Sequence, residues 1–269
     1  ITGHAAWRPG GHKTATGKTF NPMEDAVSLK PRKMRVEHIA QNYVFTQADF
    51  ITLKKSYLFA IQRGNIKADE VPFAMWVFRA LTQVSKEELR TAYDNAVHNA
   101  QGTNYLALFD GWQQQKDELI LSSDIPAGNI TEHAAITATN AVSVFEKLVS
   151  NVPTKFLGKV VARVSREQKK FYEADFLTRY GTVPFNTGIN KTTIQGTGIV
   201  MLVEPSLDGA TSPEIITRGN LARGYDGSSN NVGLDIEHDK SERAIHVMLD
   251  AQAGAGVTDP TQWWLGDVA

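Results

Sequence analysis

The stretch GHKTATGKTF, residues 11–20, ends in Gly17-Lys18-Thr19, the tail of a phosphate-binding loop. Such a loop needs Gly, four residues, then Gly-Lys-Ser/Thr, because backbone N–H groups must converge on the anion at a helix N-terminus. Position 12 should then be glycine, and it is His12; Gly11 lies one residue too early. The preceding ITGHAAWRPG carries little strand pattern, so phosphate chemistry is not expected here. The histidines, His4, His12, His38, His98, His133, His238 and His246, form no H-E-x-x-H or other local ligand pair. Asp235, Glu237 and Asp239 alternate, which aims three carboxylates to one side and could attract a cation. The calcium-loop pattern fails, with no glycine at its sixth position, and a solvated acidic face is the preferred reading. Gly196-Thr197-Gly198 precedes a strand, the reverse of the dinucleotide order, and reads as a turn. No G-x-S-x-G elbow exists, and the chain has no cysteine, which removes disulfides, thiolate metal sites and thiol nucleophiles. Trp263 and Trp264 either stack a base or sugar or dock the end of the chain into a core; the second is expected. No cofactor and no metal are expected.

The elements that would position such residues are therefore the better guide. With 269 residues, 42% hydrophobic and 21% charged, the chain has the composition of an ordinary globular protein with a sizeable core. A net charge of −1 excludes a polycation built to wrap nucleic acid. No apolar run approaches the ~18 residues of a membrane span. The chain opens on Ile1 without the apolar segment of a secretory signal; a segment cleaved ahead of Ile1 stays an open alternative.

Charge is uneven. Through residue 36 there are seven basic residues, Arg8, Lys13, Lys18, Lys30, Arg32, Lys33 and Arg35, against Glu24 and Asp25. This segment is rich in Gly, Thr and Pro and carries too little apolar surface to order itself. Three readings stay open for it: a solvated tail, a sequence-independent contact to DNA phosphates, or pairing with acidic patches on neighbouring copies. Next, Arg35, Glu37 and Gln41 alternate with Val36 and His38, and Phe50, Thr52 and Lys54 with Ile51, Leu53 and Lys55, which predicts the two strands of a long hairpin. Phe73, Trp76, Val77, Ala80, Leu81 and Val84 recur at helical spacing, and a phase-shifted set runs from Leu89 to Ala100. Ser85 and Glu88 form a capping box between the two, so a long helix kinked or broken near Ser85 is predicted. A second amphipathic helix is predicted over TEHAAITATNAVSVFEKLVSNVP, with a stripe from Ala138 to Val149. KVVARV (159–164) predicts an apolar strand and SREQ (165–168) a capped helix carrying Phe171, Tyr172 and Phe176. GIVMLVEP, EIITRGNL and AIHVML predict further strands, and GYDGSSNNVG a turn.

This order of elements resembles the major capsid protein of tailed bacteriophages, the Hong Kong 97-type fold. NYLALFDGWQQQKDELI (104–120), with Phe109-Asp110-Gly111 ahead of an amphipathic stretch, is similar to a segment of those capsids. IPAGNIT (125–131) leads into the helix ending FEKLVSNVP, and GKVVARVSREQKKFYEADFLTRYGTVPFN is similar to the strand–helix segment that follows. IQGTGIVMLVEPSLDGATSPEIITRGNLARGYDG resembles the closing pattern of strand, Asp-Gly turn, strand and Gly-Asn-Leu. The resemblance covers most of residues 70–260, and the ordered series carries it.

The resemblance implies an α+β fold in parts: an N-terminal arm (1–25), an extended β-hairpin loop (26–66), a peripheral domain with a long spine helix (67–127), an axial α/β domain (128–240) and a peripheral return (241–269). It implies a structural protein, not an enzyme, that self-assembles into hexamers and pentamers of an icosahedral head around double-stranded DNA. The implied partners are other copies of itself, packaged DNA bound without sequence preference, and portal, scaffold or maturation protease and decoration proteins; no membrane is implied. The implied location is the virion, after assembly in the host cytoplasm. Trp7, Arg8, Lys13, Lys18, Phe20, Arg32, Lys33 and Arg35 are the candidate intersubunit contacts. The family's Lys–Asn crosslink has no matching pair here, and none is assigned. Two other readings stand beside it: an encapsulin-type nanocompartment shell, and an enzyme whose site forms only in the tertiary structure around Asp235–Asp239.

Overall fold

The computed structural model describes residues 32–64, 67, 71–184, 192–225, 233–239 and 243–268. The chain divides into two units, Ile1–Lys33 and Met34–Ala269. Of the first, Arg32 and Lys33 are described, both exposed. The second unit carries, in order, β1 (Glu37–Phe45), α1 (Gln47–Gln62), α2 (Phe73–Asn95), α3 (Trp112–Leu121), β2 (Ile130–His133), α4 (Ala141–Ser150), β3 (Val160–Val164), α5 (Arg166–Tyr180), β4 (Met201–Val203), β5 (Glu214–Thr217), β6 (Leu221–Gly224), β7 (Gly233–Asp239), β8 (Ala244–Val257) and β9 (Trp263–Val268).

A five-stranded mixed sheet, ordered β2-β9-β5-β3-β4, separates two cores. Successive side chains of a strand point to opposite faces, so β3 sends Val160, Ala162 and Val164 to one core and Val161 to the other. On β9, Trp264 enters the first core with α4 and α5, and Trp263 the second with the end of α2 and α3. Both indoles are fully buried, as the docking reading of the Trp pair expects. The first core is further filled by Phe145, whose ring stands edge-on to Tyr172 at 5.4 Å.

α5 begins as its sequence predicts: Ser165 Oγ accepts the Gln168 N–H at 3.1 Å and Gln168 Oε1 accepts the Ser165 N–H at 3.0 Å. Phe109-Asp110-Gly111 also has a local reason. The Gly111 N–H donates to Ala96 O at 2.7 Å, and Asp110 Oδ1 accepts the His98 N–H at 2.9 Å, which closes the loop beyond α2. A Cβ on Gly111 would lie 2.8 Å from the carbonyl oxygens of Ala92 and Asp94, backbone that cannot step aside. Gly111→Ala is therefore expected to destabilise the fold by about 1–3 kcal/mol, as overpacking does, read as a lowered urea midpoint with an unchanged m-value.

Three expectations are corrected. The second hairpin strand is a helix: 47–62 is α1, opened by a Thr46–Asp49 capping box. β1 pairs instead with β8, from Glu37↔Ala253 to Phe45↔Ile245. The alternation at 50–55 arose because α1 is apolar on two sides. Phe50, Leu53, Tyr57 and Ile61 turn inward, while Ile51, Leu58 and Phe59 stay half exposed. The break at Ser85 is absent, since α2 is continuous from Phe73 to Asn95. Ser85 and Glu88 instead hold β1: Ser85 Oγ donates to Gln41 Oε1 at 2.5 Å and Glu88 Oε2 accepts from Gln41 Nε2 at 3.2 Å. The helix over 131–153 shortens to α4, because 130–133 pairs in parallel with β9 and Asn140 Oδ1 takes the Thr137 N–H at 2.7 Å to hold a turn ahead of it. Of the smaller predictions, the strand in GIVMLVEP is only the three-residue edge β4, AIHVML opens the 14-residue β8, and most of the GYDGSSNNVG turn lies outside the described residues.

Candidate assembly surface

Among the described residues no group of three or more His, Asp or Glu is placed to hold a metal ion. No helix among them is long and apolar enough to cross a membrane. What the described residues offer is surface, and one buried polar node that orients it.

The node joins elements far apart in sequence. Arg163, on β3, donates to Asp94 Oδ1 at the end of α2 and, at 3.1 Å, to Glu214 Oε2 on β5. Ser206 Oγ donates to the other Asp94 oxygen, and Gln113 Nε2 of α3 to Glu214 Oε1 at 2.6 Å. Lys116 Nζ lies 3.6 Å from the same carboxylate. Burial works against the guanidinium charge, but Glu214 and Asp94 more than offset it and hold Arg163 above the usual arginine range. The Trp112 ring packs against it at 5.6 Å. The node clamps the C-terminal end of α2 to the five-stranded sheet. No motif flagged it; the signal was an arginine inside an otherwise apolar strand.

From that anchor α2 runs out to a second sheet. Here β8 is flanked by β1 on one side and by β7, then β6, on the other. One face of this ribbon, with Gln41, Tyr43 and Phe45, meets α2 and α1. An open cleft lined by Gln47, Phe50, His238, Arg243 and Ile245 lies on the same side. The opposite face carries His38, Ala40, Asn42 and Val44 of β1, all exposed. Register places Asp235 beside Met248 and Glu237 beside His246 on that face, with Asp250 between Ala40 and Gly233. Asp235, Glu237 and Asp239 thus share one side, as their alternation predicts.

Exposed apolar groups occur around the described residues, Leu121, Val183, Tyr225 and Ile236 among them, and a further set lies on α1 and on the outer half of α2. Ile51, Leu58 and Phe59 are 51%, 48% and 53% exposed, and Met75, Phe78 and Val84 are exposed beside them. Their gathering on two packed helices makes a candidate interaction surface.

Of the candidate contacts read from the sequence, Trp7, Arg8, Lys13, Lys18 and Phe20 lie outside the described residues. Arg32, Lys33 and Arg35 are exposed, and the Arg35 side chain pairs with Glu37. The backbone at Arg35 is tightly seated all the same: Gly254 of β8 lies so close to the Arg35 carbonyl that a Cβ there would collide with it.

No family model matches the chain, and no curated protein does. Solved structures do, and they define a class: the chain has the fold of tailed-phage major capsid proteins. A chain of the satellite phage P4 procapsid, whose structure includes the size determination (Sid) protein, superposes with a TM-score of 0.66 at 12% identity, over 100% of this chain and 81% of that one. The capsid of an empty GTA particle gives 0.55 at 10% identity, over 96% and 87%. The SrpI encapsulin of Synechococcus elongatus PCC 7942 gives 0.56 at 9% identity, over 88% and 75%. At these identities the likeness is one of fold.

Proposed function

We propose that this chain is a Hong Kong 97-type major capsid protein, whose copies form hexamers and pentamers of an icosahedral shell around double-stranded DNA. The observation that carries the reading is the wet apolar face of α1 and outer α2 on a chain with a capsid fold. One copy leaves Ile51, Leu58 and Phe59 half in water, and many identical copies would cover them. In this reading residues 1–25 are the arm and 26–66 the loop that lies across a neighbour, built as a strand and helix where the sequence predicts a hairpin. Residues 67–127 with 241–269 form the peripheral domain around α2, and 128–240 the axial domain. The partners are other copies and, through the basic segment, DNA phosphates bound without sequence preference; the location is the virion.

Negative-stain microscopy of the purified protein tests it: closed shells, tubes or capsomer rings are expected, and a strictly monomeric protein at high concentration overturns it. The encapsulin reading keeps a foothold in the SrpI likeness. Particles isolated from their native source separate the two, DNA inside supporting the phage reading and cargo enzyme the other. Deleting residues 1–20 is expected to leave the melting temperature of the core unchanged and to lower particle yield. Equal yield after truncation would refute the role given to the arm.

A further inference from the structure

Two exposed surfaces of the chain are opposite in charge. On α1, Ile51, Lys54, Lys55, Leu58, Phe59 and Gln62 recur at i, i+3, i+4, i+7, i+8 and i+11, so they form one exposed stripe. It is apolar and basic. Asp49, the acidic residue of α1, lies off this stripe and is tied to its Thr46 cap. The open face of the β1–β8–β7 ribbon is the counterpart. It presents Val44, 54% exposed, opposite His246, with Met248 opposite Asn42, and the carboxylates Asp235, Glu237 and Asp250, the last 3.7 Å from the His38 ring. Within one chain the two cannot meet. The Phe45 ring, on the other face of the ribbon, packs against Phe50 of α1 at 5.9 Å, so the sheet itself stands between α1 and the acidic face.

We infer that the acidic open face of the ribbon is the receiving surface for the basic, apolar stripe of α1 from a second copy of this chain. The inference rests on the shell reading above for its neighbouring copies. The contact is head-to-tail, because donor and receiver occupy opposite sides of one molecule, and a head-to-tail contact repeats into rings when its rotation closes. Ile51, Leu58 and Phe59 supply the buried apolar area, while Lys54 and Lys55 against Asp235 and Glu237 set register and steer encounter. The same contact serves rings of five and of six with a small change of angle.

The absence of cysteine makes the test direct. Full-length Lys54→Cys and Glu237→Cys variants, each checked for an unchanged circular dichroism spectrum, are mixed and mildly oxidised, beside a control pairing Lys54→Cys with Lys170→Cys on α5. Wild-type protein is imaged by negative stain in parallel. The Lys54→Cys and Glu237→Cys pair is expected to give at least tenfold more disulfide-linked dimer than the control. Raising the salt before oxidation is expected to lower that yield, since screening weakens exposed pairs. Shells without the enriched crosslink overturn this contact and leave the shell reading standing. The crosslink without shells or rings supports the contact and overturns the shell reading. Neither result overturns both.

Discussion

Replacing Arg163 by methionine is expected to lower stability by about 3–5 kcal/mol, the cost of leaving a buried charge pair without one partner. Methionine keeps an unbranched apolar stem of comparable volume, so most of the packing is kept and the loss is mainly electrostatic. Asp94 and Glu214, each only 1–2% exposed, would face each other across a buried node with no guanidinium between them. Urea unfolding followed by tryptophan fluorescence reads the loss. Arg163→Lys separates charge from geometry. An ammonium keeps the charge but cannot donate to both carboxylates through a planar fork, so an intermediate midpoint is expected. If Arg163→Met unfolds at the wild-type midpoint, the node does not clamp α2 to the sheet.

The second large effect falls on β9. Trp263→Ala and Trp264→Ala are each expected to cost about 3–5 kcal/mol, the range for a buried aromatic truncated to alanine. They act on different cores, so their consequences differ. Trp264 packs against Phe156 at 5.5 Å between α4, α5 and the sheet. Trp263 packs in the core that holds Tyr93, Phe109 and Trp112. Loss of Trp263 is therefore expected to loosen the end of α2 and raise hydrogen exchange there, while loss of Trp264 raises it in α4 and α5. The chemical-denaturation midpoints give the magnitudes, and the exchange maps give the sides. Identical exchange maps from the two variants would mean that the sheet does not separate the cores energetically. The double substitution is expected to abolish cooperative unfolding.

The sequence by itself determined what depends on nearest neighbours. The Ser165–Gln168 box opened α5 where it was expected, because its hydrogen bonds span three residues and need nothing else. KVVARV became β3 because it is a short run rich in β-branched valines, bounded by Gly158 and the Ser165 cap and too short for a buried helix. The ordered series of such segments was enough to place the chain among capsid folds, although any one of them is commonplace. Tertiary structure decided the rest, for two physical reasons. An element that is apolar on two sides has no single amphipathic period, so 50–55 reads as strand until β1, packed on one side of α1, leaves the other side exposed. A polar node is invisible along the chain when its members are far apart. Asp94 and Arg163 are 69 residues apart and Arg163 and Glu214 are 51 apart, and only the fold brings them within hydrogen-bond reach. The acidic face belongs to both kinds: alternation placed Asp235, Glu237 and Asp239 on one side, but only the pairing of β7 with β8 set Asp250 on that side, and the pairing of β1 with β8 brought Val44 to the same face.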